Sequence, residues 1–380
     1  MSLFYRKQFC ATILLVLCAS FTTYFSTCRL ASGQSNRAEL ERELERARLE
    51  LRILELERQL GERSNNGDAS ESNPFETEKE KVIPHNEPEV VVRDPDLDNL
   101  SAGDPMTLTI AGKPVKFRWC PPGEFVMGSP TSEEGRYDHE TQRTVKLTRG
   151  FWLCEFPVTY TAFEAFVNAT GYKTEAERNG DEDTWKKNRS FIPQGDFPVV
   201  MVSWNDAQAY VDWVNENYAP NGMKFRLPSE AHWEYACRAG TITPYSFGSV
   251  INEDKANYGA NVGTPTTLGR YAPNAWGLYD MHGNVAEWCS NCSNWCSNWH
   301  EEYPEGVVTD PEGPQNGRYR VARGGSWLDF ARGCRSAERG MIEPERRYNS
   351  VGFRLEVSAT ELDDIVIPNS KDFRGRGDQI

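Results

Sequence analysis

The sequence predicts an α+β domain with much irregular structure over residues 104–357, preceded by a short coiled-coil helix. Helical periodicity is confined to a few stretches. Short strand-like runs such as "TVKLTRGFWLCEFPVT" and "RYRVARGGSW" alternate with Gly-, Asn- and Pro-containing loops, and the 11 tryptophans accumulate in this region. Ahead of it lies "AELERELERARLELRILELERQL", a run of strong helix formers without Gly or Pro.

The chain has 380 residues, enough for one large domain or two ordinary ones. Arg6 and Lys7 precede an apolar run from Phe9 to Leu17 that continues less purely to Phe25, and Ala31-Ser32-Gly33 supplies small residues for cleavage. The run falls short of the roughly 18–20 apolar residues that span a bilayer. Residues 1–33 are therefore expected to be a signal peptide, with an uncleaved anchor as the alternative. Cys18 and Cys28 lie in poor lipobox contexts. Either reading exports the remainder, to the periplasm or the extracellular space. Within 38–60, Leu40, Leu44, Ala47, Leu51 and Leu54 form one stripe and Leu49, Ile53, Leu56 and Leu60 a second, the pattern of a coiled-coil or amphipathic helix able to self-associate. Residues 61–100 read as an acidic disordered linker and 358–380 as a polar tail. The net charge of −14 excludes a sequence-independent hold on nucleic-acid phosphates.

Inside the domain, Phe163, Phe166 and Val167 share a helical face that Gly171 ends. Ala207, Tyr210, Val211 and Val214 line a second helix, with Asn205 or Asp206 near its cap. A third starts at Ser229 after Pro228, places Glu230, Glu234 and Arg238 one turn apart, and closes at Gly240.

Cys289, Cys292, Cys296 and His300 fall at C-x2-C-x3-C-x3-H spacing, open to a metal site, a redox centre, disulfides or a lengthened loop. Of the ten cysteines, Cys10, Cys18 and Cys28 lie in the leader, leaving an odd seven. Cys120, Cys154 and Cys237 sit in apolar contexts as buried thiols or one disulfide and a spare.

The segments "CPPGEFVMGS", "FPVTYTAFEAFV", "FPVVMVSWNDAQAYVDW", "RLPSEAHWEYACRAG", "NAWGLYDMHGNVAEW" and "RVARGGSW", followed by "CRSAER" and "VGFR", resemble in order those of the sulfatase-modifying-factor, or formylglycine-generating-enzyme, family. The resemblance implies a loop-rich fold related to C-type lectin-like domains. Its active members are oxidoreductases that convert a sulfatase cysteine to formylglycine with oxygen and copper(I), held by two cysteines after the "GGS-aromatic" segment. Here Asp329 takes the first cysteine's place, and the nearby Cys334 belongs to "CRSAER", which aligns beyond the second. A carboxylate cannot replace a copper(I) thiolate. Ala286 also replaces a Trp of the family, so no formylglycine-generating activity is expected.

The resemblance implies structural calcium at Asp280, Gly283, Val285 and Glu287, with an arginine pair to Glu287 as the alternative. Asn257 and Tyr258 match the first half of a second calcium site whose acidic portion is shortened here. Arg323, Ser326, Trp327, Asp329 and Arg335 fall where the family's groove lies and could take a peptide or glycan; the alternative is a tight turn with arginine ion pairs. Cys289 and Cys334 are expected to form a disulfide by their place in recurring family motifs. The near-repeat "CSNCSNWCSNW" then reads as a lengthened loop, with Cys292, Cys296 and His300 as a partial metal site or a small disulfide loop. The function expected is an exported, non-oxidising binding or scaffolding module. An oxidoreductase with a rearranged copper site and a lectin-like carbohydrate receptor are the alternatives.

Overall fold

A computed structural model describes residues 99–188, 194–220, 223–293, 306–314 and 316–358. The leader, the 38–60 helix, all but the end of the linker, Cys296, His300 and nearly all of the polar tail lie outside the described residues. No helix among those described is long and apolar enough to cross a membrane.

The largest sheet begins with a hairpin of β1 (Pro105–Ile110) and β2 (Lys113–Cys120), in which Ile110 faces Lys113. The two-residue loop holds Ala111 and Gly112 at φ 49° and 71°, the left-handed pair whose twist suits a tight hairpin. Met106, Leu108 and Ile110 are buried at every second position, the period that puts one face of a strand on the core. β5 (Phe151–Cys154), β6 (Phe225–Arg226) and β12 (Glu356–Ser358) complete the order β1-β2-β5-β12-β6. A three-stranded sheet joins β3 (Gly123–Met127), β4 (Arg143–Leu147) and β8 (Val308–Thr309). A four-stranded sheet has the order β10-β9-β7-β11, from β7 (Ala286–Ser293), β9 (Tyr319–Arg323), β10 (Arg339–Ile342) and β11 (Val351–Gly352).

Helix α1 (Tyr160–Thr170) buries the expected Phe163, Phe166 and Val167 and ends on Gly171 at φ 67°. A short α2 (Glu175–Asn179), absent from the periodicity reading, is closed by a capping box between Thr174 and Glu177. In α3 (Trp204–Tyr218) the cap is Ser203, two to three residues ahead of the Asn205 or Asp206 expected near it, and Asp206 returns the bond from the third helical position. α4 (Glu230–Arg238) starts from Ser229 as expected and turns left-handed already at Ala239. α1 and α3 meet through Phe163 stacked on Tyr210 with centroids 5.9 Å apart, in one core cluster with the largest sheet. α4 packs in another with residues of β3, β4, β7 and β9. This second cluster positions the "GGSW" turn.

Candidate functional site

β9 runs into Gly324 and Gly325 at φ 92° and 65°. A Cβ on Gly325 would lie 2.4 Å from the Gly333 carbonyl oxygen and 2.8 Å from the Cys334 sulfur, so only glycine lets the turn close on the 3-10 segment Ala331–Cys334. The turn is pinned from outside by backbone bonds: Trp327 N donates to Asn284 O (2.9 Å), Ala260 N to Trp327 O (2.6 Å) and Gly259 N to Asp329 O (2.7 Å). Within it, Ser326 Oγ donates to Asp329 Oδ2 at 2.6 Å. Burial raises the pKa of the Asp329 carboxyl against the lowering effect of that hydroxyl. Cys334 is fully buried, its thiol pushed well up by desolvation and by the neighbouring Asp329 charge. Its sulfur lies 3.9 Å from Ser326 O, a weak thiol bond. This neighbourhood offers one carboxyl and one buried thiol, where copper(I) requires two thiolates.

Of the five residues expected to line a groove, Arg323, Ser326, Trp327 and Arg335 are buried and Asp329 is partly exposed. Ser326 and Trp327 are buried, with Trp327 Nε1 donating to Asn349 O at 3.1 Å. Arg323 is 1% exposed and pairs with Glu234 and Glu230, while Arg335 grips Glu140 through both guanidinium nitrogens (2.7 and 2.5 Å) and Glu133 (2.7 Å). Arg339 adds a bidentate grip on Glu230 at 2.8 Å twice, and Arg238 holds Glu234 at 2.8 Å. Buried guanidiniums must be paired, and the acids of α4 and of the β3–β4 connection supply the partners, so these arginines are structural.

The calcium set is tested by its carboxylate. Both oxygens of Glu287 are taken by Arg354, at 2.6 Å from Nε and 2.6 Å from Nη2, and Trp233 Nε1 donates to the same group at 2.7 Å. The arginine pair, the alternative weighed against calcium, is what the chain builds, and a dication beside a buried guanidinium does not fit. Asp280 sits at φ 57° and accepts from Gly269 N at 3.0 Å, its pKa raised to about 6 by burial. A Cβ on Gly283 would meet Asn257 O at 2.2 Å, which brings the two predicted sets against each other. Asn257 fits a cation better: its Nδ2 donates to Thr264 O at 2.9 Å, while its buried Oδ1 has no hydrogen-bond partner. The Tyr258 hydroxyl donates to Ile251 O at 3.5 Å.

The predicted disulfide is not made. Cys289 and Cys334 are buried free thiols in separate core clusters, and Cys120, Cys154 and Cys237 are likewise free and buried. Sequence reasoning missed His282, whose ring carries its proton on Nδ1 toward Cys334 O (2.8 Å) while Nε2 accepts from Ser246 N (3.0 Å). It also missed the meeting of His139 and Glu140 with Glu338, which nearly 200 residues of chain separate. No short-range spacing signals either.

Residues 112–359 match the family described as sulfatase-modifying factor enzyme 1-like domain. The chain is 34% identical over 287 residues to the formylglycine-generating enzyme of Streptomyces coelicolor, covering 62% of this chain and 86% of that one. It is 30% identical over 302 residues to the inactive C-alpha-formylglycine-generating enzyme 2 of Bos taurus, covering 65% and 90%. The solved structure of PvdO from Pseudomonas aeruginosa superposes with a TM-score of 0.57 at 28% identity, covering 68% of this chain and 99% of PvdO.

Proposed function

We propose that this chain, which belongs to the sulfatase-modifying-factor family, is a non-oxidising member that works as an exported binding or scaffolding module. The observation that carries this reading is the turn at Ser326 and Asp329, where a carboxyl engaged by a hydroxyl stands in the first thiolate position and Cys334, which aligns beyond the second, is fully buried. Copper(I) needs soft, deprotonated sulfur, so no oxygen-activating step is assigned to these residues. One relative, of Bos taurus, is named as inactive, so the family frame occurs without the activity.

In this reading the N-terminal segment directs export, and residues 38–60 tether or multimerise the domain. A structural calcium ion would be held on the Asn257 side, by its unpartnered Oδ1, rather than by Glu287. Ligands of neutral or positive character, a peptide or a glycan, match the net charge of −14 better than nucleic acid does.

The test is a copper-supplied oxidation assay on a sulfatase-type cysteine peptide, run on the full chain and on Asp329→Cys. No aldehyde product and no tight copper(I) binding are expected of the parent. Asp329→Cys places a thiol in the first position, near Cys334, and is expected to raise copper(I) affinity at least tenfold. Aldehyde formation by the parent chain overturns the reading.

A further inference from the structure

We propose that the β3–β4 connection, residues 128–142, is a strap fastened by one shared proton: Glu140 of the strap and Glu338 ahead of β10 form a carboxyl–carboxylate pair, and rising pH removes the proton and loosens the strap from the segment behind the "GGSW" turn. The two ends of the strap are tied to each other, with Ser129 N donating to Glu140 O at 2.9 Å. Its middle rests on the 3-10 segment Ala331–Cys334 and on the residue after it. Arg335 Nη2 donates to Gly135 O at 2.9 Å, and the Arg332 guanidinium lies 5.3 Å from the Tyr137 ring centroid. A Cβ on Gly135, at φ 77°, would come 2.9 Å from the Arg332 Cβ, so the strap backbone is in direct contact there.

The fastening joins groups from both sides of this contact. Glu133 and Glu140 of the strap meet the Arg335 guanidinium at 2.7 and 2.5 Å, and Glu338 stands 3.5 Å from the same group. Glu338 and Glu140 also hydrogen-bond to each other. A hydrogen bond between two carboxyl groups requires a proton, because two like charges at that distance in a buried site do not both ionise. Glu140 is the partner that stays ionised. Both its oxygens accept from Arg335, at 2.7 and 2.5 Å, and Ser129 Oγ and Tyr137 N add bonds of 2.6 and 3.1 Å, which together outweigh the cost of burying its charge. The proton therefore sits on Glu338, where burial and the Glu140 charge both favour the neutral acid.

The other groups that face Glu338 do not remove this preference. Arg335 is committed to Glu140 and Glu133, and Arg323 of β9 donates to the Glu338 carbonyl oxygen but gives its charge to Glu234 and Glu230. A ring nitrogen of His139 lies within 4.8 Å of both carboxyls, and the imidazole stacks on Tyr137 with an interplanar angle of 6°. The Cys334 thiol, raised by its own burial, is a neutral neighbour. A carboxyl raised above its unfolded value gives its full stabilisation below that value and loses it as pH rises through the folded one. The side chain of Glu338 is 18% exposed, so the proton can pass to water. Once it leaves, Arg335 faces three carboxylates in place of two, and the repulsion acts across the seam between strap and β10 segment. Neither Glu140 nor Glu338 belongs to the turn at Ser326 and Asp329, so failure of the strap and failure of the non-oxidising reading are separate results.

The experiment is hydrogen–deuterium exchange of the full chain from about pH 5 to about pH 9, read by mass spectrometry and corrected for the intrinsic pH dependence of exchange. Protection of the strap amides is expected to fall at least tenfold over that range, while that of β2 and α1 holds. Glu338→Gln donates the same bond with no proton to lose, and is expected to keep the strap protected throughout. Parent protection that does not change overturns the proposal. So does an equal fall in Glu338→Gln, including one that His139→Gln then removes, which assigns the titration to the imidazole. Should Glu338→Gln lose cooperative melting, infrared spectroscopy of the parent decides: the carbonyl stretch of a protonated carboxyl is expected to vanish over the same pH interval as the protection, and protection lost without that change overturns the strap.

Discussion

Replacing Glu287 by Ala separates an ion-pair role from a calcium role at one residue. In the folded chain Glu287 is fully buried, accepts two 2.6 Å bonds from Arg354 and a 2.7 Å bond from Trp233 Nε1, and has no exposure to recover elsewhere. Removing it leaves the Arg354 guanidinium buried with only the backbone carbonyls of Cys154, Glu155 and Tyr279. Breaking one side of such a pair costs about 3–5 kcal/mol, because the remaining charge stays desolvated. A domain of this size loses roughly 2–4 °C per kcal/mol, so the midpoint is expected to fall by about 6–20 °C. The assay is thermal and urea unfolding of parent and variant, each with calcium and with a chelator. The ion-pair account expects the same loss in both buffers. A loss under 1 kcal/mol, or one that disappears because chelator lowers the parent to the variant's level, would refute it. The double variant Glu287→Leu with Arg354→Met is expected to recover most of the loss, since well-packed apolar pairs replace buried ion pairs at little cost.

Two further outcomes follow from the same geometry. Burial lowers the His282 pKa to about 4, below an unfolded value near 6.5, so the folded state binds fewer protons and stability falls as pH drops from about 6.5 toward 4. The loss amounts to about 2–3 kcal/mol, and His282→Gln is expected to flatten that limb of the pH–stability curve relative to the parent; Asp280, with its raised pKa, acts in the opposite sense over part of the range and is common to both chains. Gly325→Ala is expected to lower the urea midpoint markedly, because its Cβ would meet Gly333 O at 2.4 Å in a left-handed backbone, whereas Gly171→Ala, with nothing within 4 Å, carries only the conformational penalty.

The local elements were legible because their causes are local. Ser229 and Gly171 sit within a turn of the groups they cap, and the apolar stripe of α1 repeats at the helical period, so adjacent residues carry the signal. The cap of α3 slipped from Asn205 or Asp206 to Ser203 because a capping box needs both partners, three residues apart, and only the folded turn shows which one leads.

The absence of a thiolate pair at the "GGSW" turn was also determined by sequence alone, since it is a matter of which residue stands at 329. What only tertiary structure decided is where charge goes. Arg323 and Arg335 looked like groove residues beside Ser326 and Trp327, yet their partners Glu230, Glu234, Glu133 and Glu140 come from segments about 90 to 200 residues away. Cys289 and Cys334 share a family context but sit in different core clusters, where both are free thiols. Desolvation explains the difference: a buried charge must find its counter-charge in space, and spacing along the chain carries no record of who that partner is.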